Sequence, residues 1–153
     1  MPTLRLILWL ALVAPAALAA DIEAPGPNGP LKGTFLAGDG PAALIIPGSG
    51  PTDRDGNNPF GMTAAPYRLL AEGLARRGIA SARIDKRGMF ASAAAVPDAN
   101  AVTVEDYVAD TRAWIDVLRR RTGASCVWLV GHSEGGIVAL ATARRESGFS
   151  QVR

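Results

Sequence analysis

The sequence predicts an α/β fold, a mostly parallel sheet with helices on both faces. Three short apolar runs of strand length, at 42–46, 79–84 and 125–130, are each followed by a loop and then by a segment whose apolar residues recur at helical spacing. Glycines stand at most of the changes between the two patterns. Strands alternating with helices become parallel neighbours, and strands that are apolar without alternation are those buried on both faces.

Composition permits one ordinary domain: 153 residues, 48% hydrophobic and 20% charged, with a formal net charge of +2. Basic residues are dispersed among acids except at Arg119-Arg120-Arg121, which reads as the last turn of a helix, where cations suit the dipole. No basic stripe interleaved with aromatics suggests a nucleic acid as partner. There is no G-x-G-x-x-G after the first strand and no lysine in a P-loop pattern, so a nucleotide site is not supported. The single cysteine excludes an internal disulfide, and one cysteine with one histidine does not make a zinc site of the usual ligand types. Cys126, beside Val127 and Leu129, is expected to be a buried and inert thiol.

The first twenty residues resemble a secretory signal: Arg5, an apolar stretch from Leu6 to Val13, and a small-x-small site at Ala17-Leu18-Ala19. Residues 1–20 are therefore expected to be removed near Ala19 or Ala20, leaving 21–153 as a periplasmic or secreted domain that meets the membrane only through the export signal. "DIEAPGPNGP" then reads as an exposed entry segment and "LKGTFLAG" as a short strand bounded by glycines. After the strand at 42–46 come Pro47-Gly48-Ser49-Gly50-Pro51, which forbid regular structure. A helix is expected from Thr63 as N-cap, with Pro66 in its first turn, Tyr67, Leu70, Ala71 and Leu74 on its apolar face, and Gly78 beyond its end. The strand at 79–84 runs into Asp85-Lys86-Arg87-Gly88. A longer helix spans about 102–121, with Val104, Tyr107, Val108, Thr111, Ile115 and Leu118 on one face and Gly123 as its stop. The strand at 125–130 leads into an Ala-rich helix from Glu134 to about Glu146.

Two loops after strands carry the chemistry. Gly131-His132-Ser133-Glu134-Gly135 fits G-x-S-x-G between a strand and a helix, a turn so tight that the serine is forced into an unfavourable backbone conformation and side chains at 131 and 135 would collide with neighbours. Gly136 is expected to give the helix further room. Ser133 is the candidate nucleophile. The Glu134 amide, at a helix start without an intrahelical partner, is one candidate oxyanion donor. The second is sought among the amides of Gly48, Ser49 and Gly50, with Ser49 favoured. If the strands at 79–84 and 125–130 flank the one at 42–46, the two loops meet at the switch in strand order, where open parallel sheets bind ligands.

The stretches "LIIPGSGPTDRDGN" (44–57), "RIDKRGMFAS" (83–92) and "LVGHSEGG" (129–136) together resemble the N-terminal half of the alpha/beta-hydrolase superfamily, in its branch of exported bacterial esterases and serine aminopeptidase-like proteins. The resemblance implies a partial alpha/beta-hydrolase fold lacking its C-terminal strands. It also implies a Ser, Asp/Glu, His triad in that order, with acid and base after the elbow. Only Ile137 to Arg153 follow Gly136, taken up by the helix and "FSQVR", where Val152 would open the next strand, so those two loops are not expected in this sequence. His132 points away from its neighbour around the turn and is expected to pack under the elbow or bond a nearby loop. Glu134 reads as a helix-start acid. Asp53, Arg54 and Asp55 are expected to shape their loop, and Asp85 to Gly88 to support the site without touching substrate.

The implied activity is hydrolysis of a small-molecule carboxylic ester, with peptides or thioesters as less favoured substrates, through an acyl-enzyme and with no metal or organic cofactor. The alternative is a catalytically incompetent truncated form or a non-enzymatic remnant, with the strand at 125–130 left as an apolar edge. Oligomeric state is not legible.

Overall fold

The computed structural model describes residues 18–145. The apolar stretch of the expected signal and the tail from Glu146, Val152 included, lie outside them. Five strands, β1 (Ala19–Ala24), β2 (Leu31–Leu36), β3 (Ala42–Ile46), β4 (Ala80–Ile84) and β5 (Val127–Gly131), form one sheet in the order β1-β2-β4-β3-β5. β3 pairs in parallel with β4 on one side and β5 on the other, while β2 is antiparallel to both β1 and β4. Every strand except β2 therefore points the same way.

β1 corrects the expected exposed entry segment. Asp21 to Ala24 alternate, with Ile22 and Ala24 buried and Asp21 and Glu23 outward, and only the Pro/Gly-rich 25–30 remains a loop. The strand begins at Ala19, within the expected cleavage point, and pairs Ala19 with Leu36 and Ala20 with Phe35.

Among the described residues, three α-helices cover the sheet: α1 (Pro66–Ala75), α2 (Val104–Thr122) and α3 (Glu134–Arg145). On one face, α1 sets Tyr67 and Ala71 against Leu36 and Ile45. On the other, Trp114, Ile115 and Leu118 of α2 and Val138 of α3 meet Leu44, Ile46, Ala82 and Val127. Alternate residues of β3 thus enter opposite cores, which explains why all five are buried and apolar.

Local chemistry sets the helix ends. Thr103 caps α2, its hydroxyl accepting from the Asp106 N–H while the Asp106 carboxylate accepts from the Thr103 N–H, and Gly123 closes the helix at φ 73°. Arg119 to Arg121 occupy the last turn. The expected cap of α1 at Thr63 is not made. The cap is Ala65 at φ 48°, with Pro66 at the first helical position and the Ala65 N–H bound by Asn57 Oδ1 at 2.9 Å, so a loop side chain fixes this entry.

At the β5 edge, Trp128 is 65% and Leu140 66% exposed, bordering an apolar groove of 330 Å³ with Leu129, Ala139 and Ala143. Cys126 also lines it and is exposed, against the expected buried thiol, because β5 begins one residue later and lies at the margin of the sheet. Among the described residues, no helix is long and apolar enough to cross a membrane.

Candidate active site

The loops after β3 and β5 leave adjacent parallel strands and touch. His132 donates its N–H to Ile46 O at 3.1 Å, extending the β3–β5 ladder by one step. A Cβ at Gly48 would lie 3.4 Å from Ser133 Cβ and 2.9 Å from His132 Nδ1, so only glycine lets the first loop press on the second.

Ser133 stands exposed between β5 and α3 at φ 52°, in the left-handed region that non-glycine residues rarely occupy. Its flanking glycines have no room for a side chain. A Cβ at Gly131 would come 2.1 Å from Gly135 O, and one at Gly135 would come 2.4 Å from Ile46 O and 2.6 Å from Pro47 O. Gly136 is different: its Cβ would meet only Gly131 O, at 3.6 Å, an ordinary contact, so the room expected of it is not used. Gly135 N–H bonds His132 O and Gly136 N–H bonds Ser133 O, both at 2.9 Å, closing the turn. Glu134 opens α3, with its amide among the first N–H groups that lack an intrahelical carbonyl.

His132 is engaged by α1. Its Nδ1 lies 2.9 Å from the Tyr67 hydroxyl, which also accepts the Gly48 N–H at 3.4 Å, and the two rings are 5.9 Å apart. Tyr67 is buried, and burial pushes its phenol up, with the Gly48 amide pulling it partly back. This arrangement engages the Gly48 amide and leaves Ser49 and Gly50 as the candidate donors in the loop. The histidine is exposed and bonded to α1, rather than packed under the elbow or bonded to a loop as expected; the tyrosine that receives it is legible in the sequence only as a core position of α1.

The loop from Pro47 to Ala65 is held by its own acids. Asp53 Oδ1 accepts the N–H groups of Asp55 and Asn57, each at 2.8 Å. Arg54 grips Asp85 through its backbone N–H at 2.8 Å and its guanidinium at 2.6 Å, and buried Arg83 pairs with Asp55. Burial lowers the Arg83 guanidinium, helped by the nearby Arg54 charge.

Asp85, Lys86 and Arg87, at the C-terminal end of β4, are all buried. Lys86 Nζ reaches Glu134 Oε2 at 2.7 Å, and Arg87 holds Asp110 of α2 at 2.5 Å. Burial raises the Asp110 carboxyl while Arg87 draws it back, and the same pairing raises the Arg87 guanidinium. No group of three or more His, Cys, Asp or Glu among the described residues is placed to hold a metal ion.

Residues 59–152, more than half of the chain, match the family described as serine aminopeptidase, S33. The chain belongs to that family. Within the alpha/beta-hydrolase superfamily it is similar to Esterase EstD of Thermotoga maritima, at 31% identity over 122 residues, which are 76% of this chain and 27% of that protein. Its fold is similar to a serine hydrolase without a lid from Xanthomonas campestris, with TM-score 0.61 and 21% identity over 88% of this chain and 66% of that one. It is also similar to a dienelactone hydrolase from Anabaena variabilis, with TM-score 0.66 and 20% identity over 85% of this chain and 59% of that one. The chain thus spans about a quarter of the esterase and about two thirds or less of these two structures, and it carries part of the alpha/beta-hydrolase fold.

Proposed function

We propose that the natural protein is an exported serine hydrolase of carboxylic esters in which Ser133 is the nucleophile. The observation that carries this reading is the turn itself: a serine at φ 52° between two glycines where a Cβ would have no space, packed against a second glycine loop. The esterase relative supports the ester class. Ser133 Oγ attacks the acyl carbonyl carbon and gives its proton to a base. The amides of Glu134 and Ser49 bind the oxygen that takes up the negative charge. Collapse expels the alcohol, which leaves with the proton, and water then releases the acid from the acyl-enzyme.

Within these 153 residues His132 is the sole histidine, and its Nδ1 is engaged by Tyr67. The reading therefore requires a base from outside them. That same engagement favours the second reading, an inactive member of the family, wherever no such base is supplied. A fluorophosphonate probe applied to the full natural chain separates the two. Labelling that disappears in Ser133→Ala is expected. Labelling that survives the substitution overturns the nucleophile, and failure of the unsubstituted protein to label favours the inactive member.

A further inference from the structure

We propose that Lys86 is a positioning residue for the oxyanion side of this site: it offsets the Glu134 carboxylate and holds the first turn of α3, where the Glu134 amide faces the reacting carbonyl. The proposal rests on the reading of Ser133 as nucleophile. It begins from a charge that folding alone does not ask for. The Lys86 side chain is only 4% exposed, and taking an ammonium out of water is costly unless it is paired. An unbranched apolar residue could fill the same space at no such cost. The ammonium is placed between the Glu134 carboxylate at 2.7 Å and the face of the Tyr107 ring at 5.0 Å to its centroid, two partners from separate helices.

The partners of Lys86 decide its role. Asp85, Lys86 and Arg87 are consecutive, yet each binds a different element: Asp85 the loop after β3 through Arg54, Lys86 the start of α3, and Arg87 the middle of α2. The two candidate oxyanion donors, the amides of Ser49 and Glu134, lie on the first two of these elements. Neighbouring side chains from one rigid strand end thus hold the two walls of the hole at a fixed separation, as precise electrostatic catalysis requires.

Charge makes the same point. Glu134 places a carboxylate one residue after the nucleophile, where negative charge develops as the acyl carbon is attacked. Left alone, that carboxylate opposes the oxyanion by Coulomb repulsion. Lys86 lies on the carboxylate and cancels it.

The test is a double-mutant cycle on the full natural chain, with p-nitrophenyl butyrate as substrate. Lys86→Met is expected to lower kcat about ten- to a hundredfold, less than the roughly hundred- to thousandfold cost of deleting an oxyanion donor outright because Lys86 acts through Glu134, with KM changed less than about threefold. Lys86→Arg, which keeps the charge, should recover part of the loss. Lys86→Met combined with Glu134→Gln removes both charges and should turn over about tenfold faster than Lys86→Met alone. A purely structural role gives a double variant no faster than the single one, and overturns the proposal. So does a Lys86→Met enzyme with wild-type kcat, or one altered only in KM. If Lys86→Met melts below the assay temperature, Lys86→Gln carries the same comparison. Ser133-dependent labelling with an unchanged Lys86→Met rate overturns the role of Lys86 alone, whereas labelling that survives Ser133→Ala overturns both.

Discussion

Gly135→Ala and Gly136→Ala should move stability in opposite directions although the two residues are adjacent in one helix. A Cβ at Gly135 would come 2.4 Å from Ile46 O, 2.6 Å from Pro47 O and 3.0 Å from Ile46 C. These are backbone atoms at the end of the central strand, and Ile46 O is already engaged by the His132 N–H at 3.1 Å. Neither can swing aside as a flexible side chain would, so α3 must lift or the ladder step must break. Overpacking a core costs about 1–3 kcal/mol, and an obstacle made of backbone belongs at the upper end. At Gly136 the added methyl meets only Gly131 O at 3.6 Å, and alanine gains up to about 1 kcal/mol over glycine in a helix, less in the first turn. That propensity gain is common to both variants and cancels in their difference, which should be about 2–3 kcal/mol. With a urea slope of about 1–3 kcal/mol per M, the two midpoints should separate by about 1 M or more. Urea titrations followed by tryptophan fluorescence, with Trp114 fully buried as a reporter, measure this. Coincident midpoints would refute the account of why the second glycine of the turn is needed.

Arg87→Met leaves Asp110 buried without its partner and should cost about 3–5 kcal/mol in the same titration, with much of the loss recovered when Asp110→Leu is added; no recovery would mean that the pair is not the cause. Thr103→Ala removes the cap of α2 and should cost about 1 kcal/mol. Bonds from the Thr103 N–H and hydroxyl hold the Asp106 carboxyl below its ordinary range, so its share of stability is present above the unfolded value of about 3.9 and is lost as pH falls through the lower folded value. Asp106→Asn should therefore flatten the acid limb of a stability profile, and an unchanged limb would assign it to other groups. Ser133→Gly should be more stable than Ser133→Ala by about 1 kcal/mol, because only glycine occupies φ 52° without strain, while both lose fluorophosphonate labelling; equal melting temperatures would remove the strain from the account.

The order of elements from β2 to α3 is legible in the sequence because β2 alternates, the later strands are short and mostly apolar, α1 and α2 show the helical period, and glycines mark the changes between them. β3 is the clearest case, since Ala42 to Ile46 are all buried between two helical layers. β1 is masked by the loop that adjoins it: Pro25 to Pro30 carry so many turn residues that the alternation of Ile22 and Ala24 with Asp21 and Glu23 passes as loop. Cys126 is misplaced because an apolar run looks the same whether its strand is central or marginal. The meeting of the two glycine loops is a consequence of strand order. Partners distant in sequence are not: Tyr67 with His132, Lys86 with Glu134 and Arg54 with Asp85 are 65, 48 and 31 residues apart. No periodicity links such pairs, and only the folded sheet brings them together.

Those distant pairs bear on how the turn at Ser133 is maintained. A left-handed serine costs about 1–3 kcal/mol and persists only where its surroundings over-determine it. Here the constraint comes from three directions. The glycines remove the side chains that would open the turn, and Ile46 O holds the His132 N–H from the β3 side. Tyr67 and Lys86 then fix the residues on either side of the serine, His132 and Glu134, to α1 and to the end of β4. Both neighbours of Ser133 are thus restrained by side chains from other elements, while the serine itself is exposed and, among the described residues, has no such partner fixing it in the turn other than its own backbone. The conformation that leaves Ser133 accessible is set by β3, β4, β5 and α1, and the ionisable groups beside it are spent on holding that conformation. On the proposed reading of Ser133 as nucleophile, proton transfer is therefore a separate task, for a base that need not disturb the turn.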